Sequence, residues 1–190
     1  MKNKGIICII TGLLLIAAAL SLTFYNLHQD ASAGKAADGI IKKLLPQVTG
    51  EEKAADDADM PVRKIDGEQY VAIISIPSIN RRLPVYDPWN YKNLRSAACR
   101  FYGSVYTNDL IICAHNYIRH FGPISNLSIG DEVTLIDMNG NVFKYAVTEV
   151  ETLGGNDVER MTDSSDWDLT LFTCTLSGFS RVTVRCQRVG

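Results

Sequence analysis

The nineteen residues from Ile6 to Phe24 carry no charge and are almost uninterruptedly apolar, and this run splits the 190-residue chain in two. As a helix it would reach about 28 Å at ~1.5 Å per residue, close to the hydrocarbon thickness of a bilayer. Lys2 and Lys4 precede it, so the positive-inside preference sets the N-terminus in the cytoplasm and everything after Tyr25 outside. Lys35, Lys42 and Lys43 on the far side make that asymmetry modest. A cleaved signal peptide would carry a shorter apolar core, about 7–15 residues, although Ala31-Ser32-Ala33 does resemble a cleavage site. The expectation is a retained single-pass anchor. On either reading the body of the chain is exported.

Export makes disulfides permissible, and four of the five cysteines (Cys99, Cys113, Cys174 and Cys186) fall in the exported part. Cys8 lies in the apolar run, where it acts as a small hydrophobe. No CxxC pair occurs and His28, His115 and His120 make no zinc spacing with the cysteines. Cys99 and Cys186 are candidates for a disulfide, which needs Cα atoms about 4.4–6.8 Å apart. A net charge of −2 and a pI near 5.9 leave no basic stripe for nucleic acid.

Three segments follow: residues 1–28 as cytoplasmic tail and anchor, 29–68 as a stalk, and 69–190 as the folded domain. The stalk is rich in Ala, Asp, Glu, Lys and Gly, too poor in apolar surface to fold alone. Within it Ile40, Ile41, Leu44 and Leu45 fall at helical spacing before Pro46. That predicts a short helix on the membrane or the domain, or a partly helical tether.

From Tyr70 onward short β-like runs alternate with turn residues. Tyr70–Ile76 reads as a buried strand ended by Pro77. Leu83–Tyr86 is a second, with Pro84 suggesting an edge. Leu110–Ala114 is continuously apolar and reads as central. Glu132–Asp137 and Val142–Glu151 flank Met138-Asn139-Gly140-Asn141 as a hairpin. Leu169–Cys174 and Arg181–Arg188 complete the set. About eight short strands with few helical patterns predict a mostly β fold, a closed or nearly closed barrel behind one transmembrane helix.

Six residues including Gly178 join Leu169–Cys174 to Arg181–Arg188, so these strands should be antiparallel neighbours. That pairing sets Cys174 beside Arg181, where a guanidinium favours the thiolate or stabilises an oxyanion. Arg185 lies on the same face of its strand and competes for that role. His115 directly follows the central strand, at the barrel's mouth. Cys113 points to the face that His115 occupies and is an alternative nucleophile.

These residues resemble the motifs of one family. Thr170-Leu171-Phe172-Thr173-Cys174 matches the TLxTC signature of sortases, and Arg181 follows at the short spacing seen in classes B, C and D rather than A. Ile112-Cys113-Ala114-His115-Asn116 resembles the segment carrying the sortase histidine, with Ala114 where glycine is common. Ile74-Ser75-Ile76-Pro77-Ser78-Ile79 with Leu83-Pro84-Val85 is similar to the family's opening pattern. The resemblance covers about 120 residues, nearly all of the folded part.

The resemblance implies a membrane-anchored cysteine transpeptidase of Gram-positive type cell surfaces. Cys174 would be the acyl-forming nucleophile, His115 the general acid and base, and Arg181 the donor to substrate or oxyanion. The implied substrate is the LPxTG-like sorting signal of a surface protein. The implied acceptor is an amine of peptidoglycan or a pilin lysine. No cofactor or metal is implied. Some sortases bind calcium near the Thr152–Asp168 connection, but Asp157, Glu159, Asp163, Asp166 and Asp168 are better read as a solvated acidic loop. Trp167 is expected to pack that loop onto the barrel. The competing readings are a surface cysteine peptidase that hydrolyses such a signal and a non-catalytic peptide-binding barrel.

Overall fold

The structure, a computed structural model, describes residues 2–48 and 59–189. It opens with α1, Lys2–Leu44, a single helix without interruption. Residues 29–44 of the segment expected to be a stalk are therefore the second half of that helix, while residues 49–58 of it lie outside the described residues. Ala33, Ala37, Ile41 and Leu44 recur every three or four residues, and all are buried. They pack on the barrel beside β3. Lys42 and Lys43 complement the carbonyl end of the helix, and Pro46 ends it in a single 3-10 turn.

Nine strands follow: β1 Arg63–Ile65, β2 Glu68–Ile76, β3 Arg81–Tyr86, β4 Ala98–Tyr102, β5 Leu110–Cys113, β6 Glu132–Asp137, β7 Val142–Gly154, β8 Leu169–Cys174 and β9 Ser180–Arg188. Their order is β1-β2-β3-β4-β5-β8-β9-β7-β6, and β6 pairs back onto β2. Eight strands, β2 to β9, thus close a barrel, with β1 appended to β2. Two short helices, α2 Tyr91–Leu94 and α3 Val158–Thr162, interrupt the connections.

The expected hairpin forms between β6 and β7. The buried Asp137 carboxylate closes it, accepting from the backbone N–H groups of Asn139 and Asn141 at 2.9 and 2.8 Å. Gly140 supplies the positive φ of 90° that this turn needs. β5 is central as expected, flanked by β4 and β8.

One expectation is corrected, and the candidate disulfide is not formed. Pro84 does not mark an edge, because β3 lies between β2 and β4. The ladder to β4 begins only at Val85, so Pro84 sits where its strand has a partner on one side. Cys99 and Cys186 are free thiols on β4 and β9. β5 and β8 lie between those strands, and Cys186 is level with Leu169 while Cys99 is level with Phe172, so three strand spacings of ~4.8 Å around the wall and a three-residue offset hold them beyond disulfide reach.

His120 is fully buried under the helix, and neither ring nitrogen has a hydrogen-bond partner. The Ala33 and Ser96 backbones lie near it without forming a good bond. Burial pushes its pKa down to about 4, so the fold holds the imidazole neutral. The unfolded chain takes up a proton near pH 6.5 that the fold refuses until about pH 4. Stability should therefore be full above pH 6.5 and fall by about 3 kcal/mol as pH drops to 4. Urea midpoints of the detergent-solubilised chain should show this decline, and His120→Phe should flatten it. An equally steep decline in His120→Phe would assign the effect elsewhere.

Candidate active site

Two ladders meet at Cys174. On one side β8 runs antiparallel to β9, and Cys174 is the direct cross-strand partner of Arg181. Directly opposed residues share a face, with Cβ atoms about 4.5–5.5 Å apart. On the other side β8 runs parallel to β5, with Cys113 opposite Phe172. The Ala114 N–H donates to the Phe172 carbonyl at 3.3 Å, and the Thr173 hydroxyl donates to the Ala114 carbonyl at 2.8 Å. Carried forward two residues, that register sets His115 level with Cys174. Thr173 is buried, so its hydroxyl fastens the two strand ends where the reactive side chains leave them.

Cys174 is exposed at the end of β8, whereas His115 is half-buried. The Tyr117 ring lies against the imidazole, with centroids 4.9 Å apart. The loop after His115 folds tightly back on itself. Phe121 N–H donates to the His115 carbonyl at 3.1 Å, and Gly122 N–H to the Tyr117 carbonyl at 2.9 Å. A Cβ on Gly122 would lie 2.7 Å from that carbonyl oxygen, so only glycine fits the closure. Burial holds the His115 pKa below its ordinary value, and the nearby Arg95 guanidinium adds to the effect. Arg95 carried no signal in the sequence. It reaches the site from the end of α2, some 20 residues before His115 in the chain.

The two arginines of β9 are in different circumstances. Arg181 is partly exposed, and its Nη1 donates to the Gly178 and Ser180 carbonyls at 2.9 and 3.0 Å. Arg185 is fully buried. It donates to Glu151 Oε1 at 3.1 Å, to Thr170 Oγ1 at 2.9 Å and to the Met161 and Arg160 carbonyls at 3.1 and 2.5 Å. Its guanidinium also lies 4.4 Å from the Trp167 ring centroid. Arg185 thus clamps the β7–β8 connection, α3 included, onto β8 and β9. Trp167 packs that loop as expected, and Arg181 is the β9 arginine at the mouth.

One face of the β8–β9 ladder therefore reads Thr170 and Arg185, Phe172 and Thr183, Cys174 and Arg181. It is covered at its first pair and open at its last. Phe172 packs edge-on to Phe101 at 5.4 Å, and Phe101 lies 5.7 Å from Trp89, giving this face an aromatic flank. A buried-to-open face ending in a thiol, an imidazole and a guanidinium suits acyl transfer through cysteine.

A family model for the sortase domain matches residues 74–189. The chain belongs to the sortase family. Sortases are cysteine transpeptidases, so this chain is an enzyme of that kind. A curated relative, sortase A of Listeria monocytogenes, is 28% identical over 200 residues, covering 91% of this chain and 83% of its own. Among solved structures, sortase C1 of Streptococcus agalactiae superposes with a TM-score of 0.58 at 29% identity, over 67% of this chain and 71% of that one. Sortase A of Corynebacterium diphtheriae shares the fold with a TM-score of 0.58 at 19% identity, over 92% and 93% of the two chains.

Within this sortase domain Cys113 is a poor rival to Cys174. It is buried, its thiol faces the Cys99 carbonyl at 3.7 Å, and burial pushes its pKa up. The same cause raises Cys99 and Cys186 to about 12. In the acidic connection, Asp157 accepts from the Arg160 N–H, Asp163 from the Ser165 N–H and Asp168 from the Arg188 N–H. Those carboxylates close turns and strand ends. Among the described residues no group of three or more His, Cys, Asp or Glu is gathered to hold a metal ion.

Proposed function

We propose that Cys174 is the nucleophile, His115 the general acid and base, and Arg181 the substrate and oxyanion donor of a transpeptidation on a C-terminal LPxTG-like sorting signal. The observation that carries this reading is the convergence of the β5–β8 and β8–β9 ladders on Cys174, fastened by Thr173.

In the minor form in which His115 holds the thiol proton, the Cys174 thiolate attacks the carbonyl carbon of the signal's threonine, and the carbonyl oxygen takes the negative charge. Arg181 meets that charge with donors on Nε and Nη2, its Nη1 being held by its own loop. The C–N bond then breaks, the departing amine takes its proton from His115, and the thioester remains on Cys174. An incoming amine gives its proton to His115, forms the new amide bond and expels the sulfur. Burial and Arg95 keep His115 largely neutral at pH 7, so the imidazolium that protonates the leaving group is a minor population.

The segment Ile6–Phe24 serves this function as a single-pass anchor, with the N-terminus cytoplasmic and the barrel at the cell surface. α1 is apolar and solvent-facing over this stretch, with a mean hydropathy of 2.6 in its most apolar window. Residues 1–28, 29–68 and 69–190 act as cytoplasmic tail and anchor, extracytoplasmic stalk, and catalytic barrel. Six residues between Cys174 and Arg181 favour a class B, C or D type of groove, while the named relatives include both sortase A and sortase C proteins. The acceptor amine comes from peptidoglycan or from a pilin lysine.

The purified full chain incubated with a sorting peptide tests the reading. Adding an amine acceptor should convert hydrolysed product into ligated product at the same rate of peptide cleavage. A product ratio indifferent to saturating amine would make the chain a hydrolase of that signal instead.

A further inference from the structure

The loops at the mouth of the site lie close to the point where α1 would leave a bilayer. The Asp30 carboxylate accepts the Arg119 backbone N–H at 2.9 Å. Asp30 is six residues beyond Phe24, a rise of about 9 Å along an unbroken helix. The barrel therefore cannot float away on a tether. A cavity of about 470 Å³ is walled on one side by Thr23, Tyr25 and Leu27 of α1 and on the other by Arg95, Ile118 and Leu176. Thr23 belongs to the apolar run itself, so the β8–β9 loop sits at the depth where that run ends.

That loop carries its apolar side chains outward. Leu176 is 97% exposed, Phe179 83%, and Ile118 of the neighbouring histidine loop 62%. Part of its backbone is bonded within the loop: Thr175 N–H donates to the Ser180 carbonyl and Gly178 N–H to the Thr175 carbonyl, both at 2.9 Å. An apolar tip with part of its backbone bonded internally suits the interfacial layer, where water and headgroups meet the remaining polar groups. Tyr25 and Arg95 beside it are side chains suited to the headgroup layer.

We propose that the mouth of the active-site cleft rests in the interfacial layer of the leaflet from which α1 emerges, with Leu176 and Phe179 inserted among the lipids and Ile118 beside them. This inference rests on the reading of Ile6–Phe24 as a membrane span. It makes the lipid surface the place where a substrate meets Cys174, and excludes a site held high above the bilayer.

Tryptophan placed in the full chain in phosphatidylcholine nanodiscs tests it, with and without lipids carrying a nitroxide near the top of the acyl chain. Added emission from L176W, and independently from F179W, should fall about twofold or more, because an interfacial side chain sinks about 5–10 Å into the headgroup and acyl boundary, the depth of that nitroxide. L45W, about 30 Å further along the helix direction from Phe24, should be unaffected. L15W, about 14 Å below Phe24 at the middle of the run, reports the span itself in lipids carrying a second nitroxide near the end of the acyl chain. Quenching of L15W without quenching of either loop probe would overturn the docking alone. No quenching of L15W would overturn the span and the docking together. Ligation of a soluble peptide by each variant reports that the barrel is folded.

Discussion

Cys174→Ala should abolish ligation and hydrolysis together, with a rate loss of about 10⁴-fold or more. No other thiol of the barrel can take over. Cys113 is buried against Cys99, while Cys99 and Cys186 lie in the core with their pKa values raised by burial. His115→Ala should cost about 10²–10⁴-fold, the usual contribution of a positioned general acid and base. The two residues act on one bond, so the double variant should be no slower than Cys174→Ala alone. Multiplying losses would mean that His115 works outside the Cys174 pathway. Steady-state rates with a fluorogenic sorting peptide measure all three variants.

Arg185→Ala should destabilise the fold by about 3–5 kcal/mol, the range for breaking a buried ion pair from one side. The guanidinium is wholly enclosed and holds Glu151, Thr170 and two carbonyls of the β7–β8 connection. Truncation strands those acceptors in the interior, where each unsatisfied group costs about 1–3 kcal/mol. Glu151 retains Arg160 at 2.7 Å, which limits the loss. Arg185→Met keeps much of the volume and should cost less than Arg185→Ala. Arg185→Lys cannot reproduce the forked contacts and should lie between them. The β7–β8 connection should loosen as well, raising KM for the sorting peptide more than it lowers kcat. Urea unfolding of the detergent-solubilised chain measures the first effect. A loss below about 1 kcal/mol would mean that Arg185 is not the clamp.

Much of the architecture was legible in the sequence because the β-like runs are apolar and cleanly bounded. β2, β5, β8 and β9 each bury consecutive residues, and the β6–β7 turn carries its own Asp and Gly. β4 was not legible, because Arg100 breaks its pattern. Partners remote in sequence supply its reason: the Arg100 guanidinium pairs with Asp87 at 2.7 Å and with Asp59 at 2.6 Å. The second half of α1 was opaque for a related reason. Ala33 and Ala37 look like tether residues until a surface is present to receive them, and the barrel beside β3 is that surface.

The site divides in the same way. A six-residue loop makes Cys174 and Arg181 neighbours by local geometry alone. His115 and Cys174 are joined by a parallel pairing across 58 intervening residues, which no local pattern encodes. Only the family motifs linked them beforehand. Arg181 and Arg185 were indistinguishable by strand periodicity, because what separates them is the cover that α3 and Trp167 lay over one and not the other.

The most direct test is intact-mass spectrometry of the full chain after brief incubation with a sorting peptide and no amine acceptor, followed by peptide mapping. The account predicts a mass increase equal to the peptide acyl portion ending at threonine, located on Cys174 and absent from Cys174→Ala. An adduct on Cys113, or continuing turnover with no adduct on any cysteine, would contradict it.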